Sequence, residues 1–260
     1  KDISPYLRFL TNILCAVILV GSGINIAFIT NPLGGILHFD TVVFPIFGLF
    51  TLSLAQLISV FWIIWVMNML NWSKGVDGQM PGIVAISAII IGILSLRFPV
   101  VTDGTLMEAQ LSFIIAGSAI GFLLFNYYPA KIFPGYGATS LYLLLAVVSI
   151  LTSAKLATAI LVMGVPIVDA LFTIIRRIAN KKSPFFGDKK HLHHILLKLG
   201  LSQRQVALLY WSISAILGTI SLLLQSRSKV FAIIMLGVIV GMGLTALHFI
   251  TKGIHEEETT

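Results

Sequence analysis

"FFGDKKHLHHILLKLG" (residues 185–200) interrupts a chain otherwise made of long runs of Ile, Leu, Val and Phe. Asp188, after Gly187, suits a helix N-cap. Leu192, Ile195, Leu196 and Leu199 follow the i, i+3, i+4, i+7 spacing, which predicts an amphipathic helix over 189–199. Gly200 suits its C-terminus. Ser202 and Gln205 then form a capping box that opens another apolar run. The long apolar runs on either side of this helix, in a chain so poor in charge, indicate an all-α, polytopic membrane bundle. At about 100° per residue, His191 and His193 flank the apolar stripe on opposite sides and His194 points away from it. A rigid helix cannot bring three such imidazoles to one ion. His191 and His194 could share one, but no Cys or Glu accompanies them, so a zinc site is not expected. Two readings stay open. The helix lies at the membrane interface and presents His and Lys to anionic phosphates, or it is a solvated face beside anionic lipid headgroups.

Composition agrees with a membrane-embedded chain. Of 260 residues, 57% are hydrophobic and only 10% charged, with a mean hydropathy of +1.00. A soluble domain carries roughly 25% charged residues. The expected partner is therefore the lipid bilayer, not nucleic acid. Cys15 is the single cysteine, so an internal disulfide is excluded. The chain starts at Lys1 and reads as an N-terminally truncated fragment. It forms one integral-membrane domain over 1–252, and "HEEETT" places a disordered tail at 253–260.

About eight transmembrane helices are predicted, at 9–30, 47–70, 82–97, 111–128, 139–152, 156–178, 204–225 and 230–250. The 139–152 span is short for a bilayer core that needs ~20 helical residues, and is expected to run on towards Lys155. With the first residues placed in the cytoplasm, Lys1, Arg8, Lys74, Lys131, Arg176, Arg177, Lys181, Lys182, Lys189, Lys190, Lys198, Arg204 and Lys252 fall inside. Arg97, Lys155, Arg227 and Lys229 fall outside. That excess of internal cations fixes the orientation. "NPLGGILHFD" (31–40) is expected to form a small external hairpin.

Four cytoplasmic segments then share one side: 1–8, 71–81, 129–138 and 179–203. In "NMLNWSKGVDGQMPG" (68–82), Asn68 and Asn71 are one turn apart, and Gly75 and Gly78 surround Asp77. Glycines beside a carboxylate let a ligand or ion approach closely; the alternative is an ordinary loop with an Asx turn. In "NYYPAKIFPGYGATS" (126–140), the amides of "PGYGATS" either form an anion-binding nest or simply turn the chain. Asp169 lies inside a span, about two turns before Arg176. An ionisable group at that depth marks a functional site, or it is a structural carboxylate paired with Arg176 or a neighbouring Asn. Pro166 predicts a kink.

Together these segments resemble the polyprenyl-phosphate N-acetylhexosamine-1-phosphate transferases (the WecA/MraY family, glycosyltransferase family 4), along essentially the whole chain. "NMLNWSKGVDG" is similar to the family's N-x-x-N-x-x-D-G-x-D-G, and "AKIFPGYGATS" to its A-K-I-F-M-G-D-x-G-S. "PIVDALFTIIRR" with "GDKKHLHHILLKLGLSQRQ" looks like its P-x-x-D and D-x-x-H-L-H-H region. "KDIS" looks like the end of a D-D-x-x-D motif, with Asp2 as the third Asp. The resemblance implies an MraY-like bundle in the plasma (inner) membrane with its active site on the cytoplasmic face. It implies transfer of a sugar 1-phosphate from a UDP-sugar to polyprenyl phosphate with Mg²⁺ or Mn²⁺ present, releasing UMP. By the same resemblance Asp2, Asp77, His191, His193 and His194 are catalytic, and Asp77 holds the metal. Asn68, Asn71, Lys74, Lys131, Asp169, Arg176 and Asp188 bind substrate, and copies of the chain pair as a homodimer. "HLHH" after "GDKK" is more similar to the branch using UDP-N-acetylglucosamine.

Three features depart from the family pattern. Lys74 stands at the first aspartate of D-G-x-D-G, Tyr136 at the metal-ligating aspartate, and the leading Asp pair is absent. Lys74 in this setting touches phosphate directly and replaces part of a metal's electrostatic role. The alternatives are a catalytically inactive relative that binds nucleotide sugar or scaffolds glycan assembly, and a membrane transporter.

Overall fold

The computed structural model describes residues 4–31, 33–46, 50–98, 100, 102–151, 155–181, 183 and 191–257. Ten α-helices dominate the described residues: α1 (Pro5–Gly21), α2 (Leu54–Trp72), α3 (Gln79–Leu96), α4 (Asp103–Asn126), α5 (Thr139–Val148), α6 (Leu156–Val162), α7 (Gly164–Ala179), α8 (Leu192–Lys198), α9 (Gln203–Leu223) and α10 (Ser226–Glu257). Between α1 and α2 lie two antiparallel pairs: β1 (Phe28–Thr30) with β2 (Ile36–His38), and β3 (Val43–Ile46) with β4 (Phe50–Ser53).

α3 is the central helix. It is apolar on all sides, as a helix surrounded by protein must be, and it packs against α4 and α9. Of its apolar stretch 72% is buried, against 11% for α10, which is therefore peripheral. α9 approaches α3 closely enough that a Cβ on Gly218 would lie 2.7 Å from Ile90 Cγ1, so only glycine fits there.

Among the described residues five helices are long and apolar enough to cross a membrane, or six if α6 and α7 count as one bent span. The chain is a multi-pass membrane protein, and the expected eight spans are not all matched by membrane-length helices among the described residues. The reason is local. α1 stops at Gly21, where Ser22 and Gly23 follow and Gly23 takes φ +101°, a conformation that ends a helix. The rest of the expected 9–30 span turns into β1, whose Phe-Ile-Thr suits a strand. The hairpin expected at 31–40 thus begins three residues earlier, at Phe28. The start of the expected 47–70 span is strand β4; α2 begins at Leu54, behind a Ser53–Gln56 capping box. α5 ends at Val148, where Ser149 takes over as C-cap, and does not continue as one helix to Lys155.

α6 and α7 are bent by 78° at Met163–Gly164. The kink expected at Pro166 therefore lies just before it. Pro166 sits in the first turn of α7, where its missing N–H leaves no helical bond unmade. α10 runs to Glu257, into the residues expected as a tail.

Candidate active site

Hydrogen bonds bring the turn after α2, the loop after α4 and the start of α9 together at one end of the bundle. Asp77 Oδ2 accepts the backbone N–H of Ala130 at 3.0 Å, and its own N–H donates to Gln203 Oε1. Asn126 Oδ1 accepts the N–H of Gly78 at 3.1 Å, while its Nδ2 donates to the carbonyl of Ile132. Trp211 Nε1 donates to the carbonyl of Gly78. Three distant segments are thereby fastened around Asp77. Asn126, Gln203 and Trp211 were not expected as site residues; the only signal for them is a polar or amphipathic side chain at the end of an apolar run.

The histidines are organised by α7. Asp169 is buried at 7% exposure and spends both carboxylate oxygens on the start of α8. Oδ1 accepts the N–H of Leu192 at 2.8 Å and Oδ2 accepts from His191 Nδ1 at 3.1 Å. Thr173 Oγ1 lies 3.3 Å from the same nitrogen. A carboxylate can only accept, so His191 carries its proton on Nδ1 and turns Nε2 away as the free ring nitrogen. The Asp169–Arg176 pair is not made: Arg176 lies over the Phe172 ring instead. Arg177 is the more deeply buried of the two and donates to the carbonyl of Ser183.

The imidazoles do not diverge as expected. His191 is the N-cap of α8, with φ −68° and ψ 156°, so it stands off the helix and escapes the 100° spacing. Its ring lies parallel to that of His193, with centroids 5.6 Å apart, and the His194 ring follows at 4.3 Å. Trp72 flanks His191 at 6.0 Å. His193 is the most buried member, at 2% exposure. A Cβ on Gly75 would lie 2.3 Å from His193 Nε2, so the glycine admits the ring. Burial above all, then the neighbouring His194 and His191 charges, pushes His193 down to about 3, with Asp169 opposing. It is therefore neutral at pH 7.

The apolar side of α8 packs on protein, except for Leu199, which is exposed. Ile195 is buried, and Leu192, Leu196 and Leu197 pack on the protein core. Asp188 and Asp2 lie outside the described residues. Lys131 is exposed, and its backbone N–H donates to the carbonyl of Phe125. Asn68 turns its amide back onto the carbonyl of Ile64, and Asn71 is half-buried. The "PGYGATS" stretch forms a 3-10 turn, Tyr136–Ala138, that leads directly into α5.

Tyr136 reaches α1. Its hydroxyl lies 2.9 Å from the Arg8 carbonyl, to which it donates, and 3.2 Å from Asn12 Oδ1, and Arg8 lies over its ring at 5.4 Å. Lys74 is half-buried within electrostatic reach of Arg8, and neither has an anionic partner among the described residues. This corner is cationic. Among the described residues no three His, Cys, Asp or Glu side chains come together as a metal site. Asp77 has one oxygen committed to Ala130, and Asp169 has both engaged. A hard dication needs several oxygen ligands, so the described residues alone do not fit magnesium or manganese.

Residues 1–153 match the family model described as "Glycosyl transferase family 4". The chain is 30% identical to a "Probable undecaprenyl-phosphate N-acetylglucosaminyl 1-phosphate transferase" of Bacillus subtilis, over 87% of this chain and 61% of that protein. It is 32% identical to a "Decaprenyl-phosphate N-acetylglucosaminephosphotransferase" of Mycobacterium leprae, over 78% and 54%. It is 33% identical to a "Phospho-N-acetylmuramoyl-pentapeptide-transferase" of Borrelia duttonii, over 68% and 50%. The chain thus spans between half and two thirds of the length of these relatives.

Proposed function

The chain belongs to glycosyl transferase family 4, and from that premise we propose that it transfers a sugar 1-phosphate, N-acetylhexosamine 1-phosphate, from a UDP-sugar to polyprenyl phosphate. A phosphate oxygen of the lipid attacks the β-phosphorus. The bond from that phosphorus to the oxygen bridging to the α-phosphate breaks, and UMP leaves with the electron pair. The product is a polyprenyl-diphospho-sugar.

The observation that carries this reading is the Asp169-oriented histidine stack, at the same end of the bundle as the cations Lys74 and Arg8. Phosphoryl transfer needs positioning and positive charge more than covalent catalysis. His191 and His194 are the imidazoles assigned to the diphosphate, and Lys74 and Arg8 offset its charge. His193 supports its neighbours from beneath. The acceptor's polyprenyl chain is assigned to the exposed apolar stripe Leu171, Ile175 and Ile178 on α7, the helix that carries Asp169. The excess of basic residues at this end supports a cytoplasmic location at the plasma membrane. Because the described residues alone do not fit magnesium or manganese, no step here runs through the ion.

The test uses membranes carrying the full-length protein, a UDP-N-acetylhexosamine and polyprenyl phosphate, with magnesium or with a chelator. UMP release that falls to background in His194→Ala is expected. Absence of UMP under both ionic conditions sinks the transferase reading, and UDP-sugar binding without turnover would establish the non-catalytic alternative.

A further inference from the structure

Buried polar groups in proteins nearly always have partners. Among the described residues, eight buried side-chain polar atoms lack one, and four of them are Gln79 Nε2 and Oε1, Tyr210 Oη and His193 Nδ1, from three residues that adjoin the Tyr210 hydroxyl through the Gln79 side chain and the His193 backbone. They come from three elements, at the starts of α3 and α8 and two turns into α9. The Tyr210 hydroxyl faces both the Gln79 amide and the backbone N–H of His193 without reaching hydrogen-bond geometry to either. None of the three side chains is more than 2% exposed. Ser214 Oγ, one turn farther along α9, is a fifth such atom. Beyond it the α3–α9 contact closes at Gly218 and Ile90.

We infer that Gln79, Tyr210 and His193 enclose an internal water site, and that Tyr210 is through it a positioning residue for the histidine stack. The donor and acceptor inventory matches a water molecule. Gln79 offers an amide donor and a carbonyl acceptor, Tyr210 can do either, and His193 Nδ1 supplies one more. A buried water makes two to four bonds to groups otherwise left unpaired. Met80, Ile83, Val206 and Ala207, neighbours of Gln79 and Tyr210 in sequence, are buried and apolar. The consequence lies above the water. His193 is stacked between His191 and His194, so a bond that fixes its ring also fixes theirs. Gln79 directly follows the Asp77–Gly78 turn, so the same water ties that turn to the histidines.

The test has two parts, both on the full-length protein in lipid nanodiscs. X-ray radiolysis of water labels side chains that touch bound water even when bulk solvent cannot reach them. Tyr210 should be labelled despite its burial, alongside exposed Tyr128. A Tyr210 left unmodified at a dose that modifies Tyr128 fully would overturn the water site. This readout uses the unaltered sequence, so it decides even where a variant fails to accumulate. In the second part, Tyr210→Phe should shift the ¹⁵N imidazole signals of His191 and His193. It should also lower UMP release about tenfold, in kcat more than in KM, the equivalent of one hydrogen bond. Unmoved imidazole signals would overturn the positioning role. The turnover arm rests on the transferase reading; if the unaltered protein releases no UMP, that reading fails while labelling and imidazole signals still decide this inference.

Discussion

Asp169 holds the ring of His191 from 22 residues away, at 3.1 Å, and with its other oxygen caps the helix that His191 begins. One carboxylate therefore sets both where the histidine segment starts and which nitrogen of its first imidazole is protonated.

Asp169→Asn separates those two roles. The amide oxygen can still cap Leu192, but its NH₂ faces Nδ1 and favours the other tautomer of His191. UMP release should fall at least about tenfold, with little change in the melting temperature. Asp169→Ala loses the cap as well and should cost about 1–3 kcal/mol of stability. A transferase rate in Asp169→Asn equal to that of the unaltered chain would contradict the assignment.

Gly75→Ala places a methyl group 2.3 Å from His193 Nε2. The ring has nowhere to retreat between its two neighbours, so the turn or the stack must shift, at about 1–3 kcal/mol. Chemical denaturation should show the loss. Gly137→Ala, with open space around it, should show none.

The buried His193 imposes a pH dependence on stability. Its imidazole titrates near 3 in the folded chain, against 6.5 for an unperturbed histidine. Above the higher value both states are neutral there and stability is full. As pH falls below it, the unfolded chain takes up a proton that the folded chain refuses. Stability should therefore drop by up to about 1.4 kcal/mol per pH unit. Between about pH 6.5 and 5, above the usual carboxylate range, His193→Gln should show a shallower decline in denaturation midpoint than the unaltered chain. Equal slopes would mean that His193 is not held neutral by the fold.

Tyr136→Phe keeps the ring beneath Arg8 and removes the hydroxyl that reaches the Arg8 carbonyl and Asn12. The expected loss is about 1 kcal/mol, read as a lower melting temperature. Looser attachment of α1 should appear as faster amide exchange over 5–21.

Some of this was legible in the residue order. The capping box at Ser202–Gln205 opens α9 where it was expected, and the spacing of Leu192, Ile195 and Leu196 identifies α8 and its buried side. Apolar runs located most helices, because a hydrophobic stretch of helical length is a local property. The same periodicity misled where the chain left the helix. His191 takes an extended conformation, and the calculated fan of imidazoles becomes a stack. The apolar residues after Gly23 read as more helix and form a strand pair instead.

What the sequence by itself determined is the membrane character, the helical period and the residue types of the site, each carried by neighbours along the chain. Only the tertiary structure decided that Asp169 faces His191 and not Arg176, and that Asp77 clamps Ala130 from 53 residues away. It also decided that His193 is the most deeply buried imidazole. Those outcomes depend on which helices pack together and how closely, down to a glycine that admits a ring, and residue spacing carries no record of such contacts.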